Sequence, residues 1–76
     1  MTQEEIQSER KKRSVELRKR REETGIGQRA FAKLSGLSWP TIVRIEGGKK
    51  EWRVDSELMY LAALNSLNNK DLAMYR

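Results

Sequence analysis

Between residues 28 and 47 the chain reads QRAFAKLSGLSWPTIVRIEG, and its apolar positions fall into two short stripes of helical spacing. In the first, Phe31 and Leu34 lie three apart on one face, with Ala30 and Ala32 beside them. In the second, Ile42 and Ile45 repeat that spacing. The break falls at Ser35-Gly36-Leu37, where Gly36 can adopt a positive φ and turn the chain sharply. Ser38 is a good N-cap for the second segment, predicted over 38–46. Pro40 is tolerated there because first-turn N–H groups have no partner within the helix. It also biases Trp39 away from helical angles, which favours a start one residue late. Ala32 is small where the second helix crosses. This packing leaves Trp39, Pro40, Thr41, Val43 and Arg44 off the buried face. Gly47-Gly48 ends the segment.

The flanking pattern predicts more helix and no strand. Residues 2–24 read as one long helix, with Thr2 and Glu5 in capping-box spacing and Glu4 and Glu5 at the positive end of the dipole. Its apolar content is thin (Ile6, Val15 and Leu17), so residues 1–12 are expected to form a charged, exposed extension. Gly25 closes the helix as a left-handed cap, with Ile26 folding back on the last turn. Gly27 caps the next helix, which carries Gln28 and Arg29 in its first turn. Lys49, Lys50 and Arg53 form a basic loop around Trp52. Asp55 or Ser56 then caps a helix ending near Leu64, with Leu58, Leu61 and Leu64 as its buried stripe and Ala62 permitting close approach. Asn65-Ser66 breaks it. Residues 67–76 are expected to form a short last helix or tail through Leu67, Leu72, Met74 and Tyr75. The domain is therefore expected over 13–66.

Composition narrows the chemistry. Seventy-six residues allow one small domain with a modest core. The chain has no Cys and no His, so disulfides, thiolate metal sites and imidazole catalysis are excluded. Carboxylates are scattered on helix surfaces beside basic groups, and no Gly-rich phosphate loop follows a strand. No enzymatic activity, cofactor or metal is expected. The longest apolar run, Leu58–Leu64, is far short of the roughly 20 residues that span a bilayer. The polar N-terminus predicts no secretory signal, and the expected location is cytoplasmic. Lys plus Arg number 16 against 11 Asp plus Glu, a net charge of +5. The excess concentrates at residues 28–53, where Arg29, Lys33, Arg44, Lys49, Lys50 and Arg53 face only Glu46 and Glu51 in number. A polyanion would dock on such a surface. Two more basic clusters, Arg10–Arg13 and Arg18–Arg21, lie on the long first helix. The first reads more simply as a solvated face with i,i+4 pairs than as phosphate contact. That helix has no apolar face opposite its charges to insert into a membrane.

Residues 17–65 resemble the phage repressor/Cro (XRE-type) helix-turn-helix family. The resemblance rests on Leu17, Arg21, Gly25-Ile26, Gln28, Phe31, Ala32, Gly36, Leu37, Ile42, Ile45-Glu46-Gly47 and Ala63-Leu64, about two thirds of the chain. It implies an all-α bundle of four to five helices of the lambda-repressor-like type, here with an extended first helix. It implies that helix 38–46 enters the DNA major groove. It further implies a structural ion pair between Arg21 and Glu46 and a phosphate contact from Gln28. Arg29, Lys33, Lys49, Lys50 and Arg53 are further phosphate candidates. Ser38, Trp39, Pro40, Thr41, Val43 and Arg44 take the base-reading positions, with Arg44 the residue suited to bidentate guanine recognition. Trp39-Pro40 departs from the polar pair usual there; Trp39 either packs on a thymine methyl or sugar, or packs against the protein.

The expected function is that of a sequence-specific double-stranded DNA-binding transcriptional regulator, a repressor acting as a homodimer on a near-palindromic operator. The C-terminal apolar residues are either the dimer surface or plain core. The alternative is the antitoxin of a toxin–antitoxin pair that also regulates itself through DNA, with the toxin as protein partner. A third reading is a protein-binding adaptor.

Overall fold

The computed structural model of the protein describes residues 2–67. The short helix expected over 67–76 lies outside the described residues except for Leu67. Four helices follow in order: α1 (Gln3–Glu23), α2 (Gln28–Ser35), α3 (Trp39–Gly47) and α4 (Val54–Ser66). No strand occurs among the described residues. None of the helices described is long and apolar enough to cross a membrane.

Local chemistry sets most of the boundaries. Thr2 is the N-cap of α1, its hydroxyl accepting from the Glu5 amide at 3.1 Å. At the other end of α1, Gly25 takes a φ of +78°, a conformation that L-residues rarely adopt. Gly36 ends α2 in the same way, at +79°. Helix α3 starts at Trp39 behind the N-cap Ser38, so Trp39 is helical despite the bias of the following Pro40, which sits in the first turn where its missing N–H costs no intrahelical bond. The start of α4 differs from expectation. Arg53 occupies the N-cap without a side-chain cap, and Asp55 instead accepts from the Ser56 amide and from Arg53 Nε. The helix also runs through Asn65-Ser66, because continuing brings Leu67 onto the core.

The core is Leu17, Phe31, Ala32, Ile42, Ile45, Tyr60, Leu64 and Leu67. Fully burying one such large apolar side chain contributes about 1.5–3 kcal/mol before entropy is counted. Two apolar assignments shift. Leu34 does not share the burial of Phe31 and is 57% exposed. In α4 the buried face carries Tyr60 and Leu64, with Leu61 and Ala63 half-buried, while Leu58 is 60% exposed. The reason lies in the run Leu58–Leu64, which is apolar at nearly every position and offers no unique face. Tyr60 wins because its ring packs on Phe31, with centroids 4.6 Å apart, and because its hydroxyl finds buried partners.

Helix α1 is continuous through residues 12 and 13. Most side chains in its first half are exposed, but Arg10 and Gln7 reach the chain after α3, and Ser14 is buried.

Candidate nucleic-acid interface

The C-terminal end of α3 is held by a buried polar network centred on Glu46. Arg21 meets its carboxylate in a fork, Nε at 2.6 Å from Oε2 and Nη2 at 3.0 Å from Oε1. The third guanidinium nitrogen donates to the Ile26 carbonyl at 2.7 Å, tying the α1–α2 turn into the same group. Gln28 Nε2 donates to Oε1 at 3.0 Å. The Tyr60 hydroxyl donates to Oε2 at 2.6 Å and lies 3.2 Å from the Leu17 carbonyl. All four helices thus converge on one carboxylate.

The Arg21–Glu46 pair is buried, and such pairs are stable only when the remaining lone pairs and protons are satisfied. That condition is met: among the described residues no buried side-chain nitrogen or oxygen lacks a partner. Burial pushes the Glu46 carboxyl up, but the hydrogen bonds from Arg21, Tyr60 and Gln28 outweigh it and hold the group below its ordinary range. The hydrogen bond to Glu46 raises Arg21, against the opposing effect of burial. Burial, and then the hydrogen bond to Glu46, raise Tyr60 well above the usual phenol.

The N-terminal end of α3 is open. Ser38 caps it, accepting from the Thr41 amide at 3.4 Å, with the two hydroxyls 2.8 Å apart. Ser38, Trp39, Pro40 and Val43 are exposed, and Thr41 is half-buried. Trp39 is 39% exposed and divides its contacts. The Arg29 guanidinium lies 4.1 Å from its ring centroid, and its indole N–H points to Gln28 Oε1 at 3.4 Å. Of the two packings open to Trp39, the protein side therefore holds part of the ring and leaves the remainder accessible.

The six base-reading candidates do not form one uniform surface. Ser38, Trp39, Pro40 and Thr41 cluster at the start of α3. Arg44, one turn on from Pro40, donates through Nε to the Glu51 carbonyl and so braces the loop after α3. Any bidentate contact from Arg44 must then come from its two terminal Nη groups.

The phosphate candidates divide as well. Lys33, Lys49 and Lys50 are exposed. Arg53 is exposed but pairs with Asp55 at 3.1 Å. Arg29 is engaged over Trp39, and Gln28 bridges Trp39 and Glu46. The side chains that the sequence did not single out are Tyr60, Ser14 and Gln7. Ser14 had a signal: it lies three before Leu17 and seven before Arg21, on one helical face. Its hydroxyl donates to the Ile45 carbonyl at 2.5 Å. Tyr60 was hidden in a continuous apolar run. Among the described residues no group of three or more His, Cys, Asp or Glu could hold a metal ion.

Comparison with protein-family models, curated proteins and solved structures finds no match to this chain.

Proposed function

We propose that the protein is a sequence-specific double-stranded DNA-binding regulator, a repressor, built on a lambda-repressor-like helix-turn-helix formed by α2 and α3. The observation that carries this reading is the asymmetry of α3. One end is locked to the bundle through Glu46, while the Ser38–Val43 face is exposed and followed directly by Lys49 and Lys50. A short helix with a rigid base, an open N-terminal face and flanking cations suits a major groove, where N-terminal residues of the helix meet base edges. Phosphate contacts from Lys33, Lys49 and Lys50 then supply affinity and register, and the α3 face supplies selectivity. Trp39 and Val43 offer apolar surface for thymine methyl groups, and Arg44 offers its Nη pair to guanine. A homodimer places two copies of α3 about 34–36 Å apart on a near-palindrome.

Selection from random duplex DNA at two salt concentrations tests this. The expected result is a near-palindromic consensus bound by two chains. Affinity is expected to fall with salt by about 0.9 in log–log slope for each phosphate neutralised. Recovery of no preferred sequence, with weak binding to every duplex, overturns the reading and favours a protein-binding adaptor.

A second reading, an antitoxin that also binds DNA, draws on the exposed apolar side chains Leu34, Val54, Leu58 and Met59. It predicts a stable complex with a toxin encoded beside it; the absence of such a neighbour leaves the free-standing regulator.

A further inference from the structure

We infer that the N-terminal half of α1 belongs to the DNA-contacting surface, with Lys11 a phosphate contact and Gln7 and Arg10 positioning residues for the Lys49-Lys50 loop. This rests on the DNA-binding reading above and extends the surface onto a helix that reading does not use.

The loop after α3 is seated on α1 by close backbone approach. Gly48 takes a φ of +68°, and a Cβ placed there would lie 2.8 Å from Ser14 Oγ and 3.3 Å from Lys11 Cα. The loop is therefore pressed against the turn of α1 that carries Lys11 and Ser14. Further along, Gln7 Nε2 lies 3.4 Å from both the Gly48 and the Lys49 carbonyls. Arg10 fixes Gln7 by donating to its Oε1 at 2.7 Å and reaches Glu51 at 3.4 Å. Arg44 holds the Glu51 carbonyl from the other side. Lys49 and Lys50 thus project from a loop gripped at its start by α1 and at its end by both α1 and α3.

The charges sort in the same way. Arg10, Lys12, Arg13 and Arg53 each pair with a carboxylate. Lys11, Lys49 and Lys50 take no ion pair among the described residues and are exposed. Three lysines without an ion pair thus lie on the two backbone segments that meet at Gly48, whereas Arg10, Lys12, Arg13 and Arg53 around them each have a carboxylate partner. A phosphate backbone running past Lys49 and Lys50 meets Lys11 next, because the Gly48 contact puts Lys11 beside the loop.

The test compares two lysines adjacent in sequence and equal in charge. Full-length Lys11→Gln and Lys12→Gln proteins are titrated with a duplex carrying the selected site, and with a random duplex, across a salt series. Lys11→Gln is expected to lower the magnitude of the salt slope by about 0.9 on both duplexes. Lys12→Gln is expected to leave the slope unchanged. Equal slopes for the two variants overturn the Lys11 contact, since net charge alone would then account for the binding. The loop-positioning role is read without DNA, from backbone amide order parameters. In a Gln7→Ala/Arg10→Ala protein, residues 48–51 are expected to fall from the rigid range near 0.85 toward 0.6, with α2 and α4 unchanged. Unchanged values at 48–51 overturn the positioning role. A parent protein that binds no duplex DNA removes the DNA-binding reading and the Lys11 contact with it, while the order parameters still decide how the loop is held.

Discussion

The two ends of α3 are built on opposite principles. At the C-terminal end, Glu46 is buried and takes hydrogen bonds from Arg21, Gln28 and Tyr60, side chains of the other three helices. At the N-terminal end, Trp39 is partly exposed and its contacts are a stacked guanidinium and one long hydrogen bond. Nine residues thus join a point of high local stability to a face where little is committed. Gln28 touches both ends, its NH₂ on Glu46 and its carbonyl oxygen near the Trp39 indole. Orientation can be set at one end of a helix and contact made at the other, because a helix of this length transmits position rigidly.

The largest effect is expected at the buried end. Arg21→Ala leaves the Glu46 carboxylate desolvated and without its cation, and is expected to cost about 3–5 kcal/mol of unfolding free energy. Urea denaturation measures it. A cost under about 1 kcal/mol, the range of exposed pairs, would erase the contrast between the two ends.

A pH series sharpens the same point with its sign. Glu46 has a folded pKa below its unfolded one, so its contribution is fully present above the ordinary glutamate value of about 4.3. That contribution is lost as pH falls from there through the depressed folded pKa. The stability difference between the parent and Glu46→Gln is therefore expected to shrink on acidification across that window and to stay level near neutrality. A difference that grew in acid would reverse the assignment.

The smallest effect on folding is expected at the open end. Trp39→Ala removes an exposed cation–π contact worth about 0.5–1 kcal/mol and should change stability by no more than about that. Binding to the selected duplex is expected to fall further than stability does. A stability loss of several kcal/mol would make Trp39 a core residue and leave α3 closed at both ends.

Much of the architecture was legible in the chain. Gly25 and Gly36 marked turns that need positive φ, and Thr2 and Ser38 marked helix starts, because such signals depend on a few neighbouring atoms. The spacing of Phe31, Ile42 and Ile45 identified their buried faces. Spacing misjudged Leu34 and Leu58, since a stripe tells which residues share a face and not how far the neighbouring helix covers it. Tyr60 was missed because an apolar run has no phase. The Arg21–Glu46 pair came from family resemblance, as two charges 25 positions apart carry no local sign of meeting. For the same reason the contacts of the first helix with Gly48, Lys49 and Glu51, about 40 residues away in sequence, were not legible in it.

The starts of α1 and α3, the glycine turns after α1 and α2, and the basic excess between residues 28 and 53 follow from short-range chemistry. Which cations remain free for a partner is a different kind of fact. Lys11 and Lys12 are neighbours of identical chemistry, yet Lys12 sits by Glu9 and Lys11 sits by the loop that carries Lys49 and Lys50. Arg44 is likewise a guanidinium like any other until the Glu51 carbonyl is brought to its Nε. Those distinctions arise when packing brings remote carboxylates and carbonyls within hydrogen-bond range, and a linear pattern of charges contains no such distances.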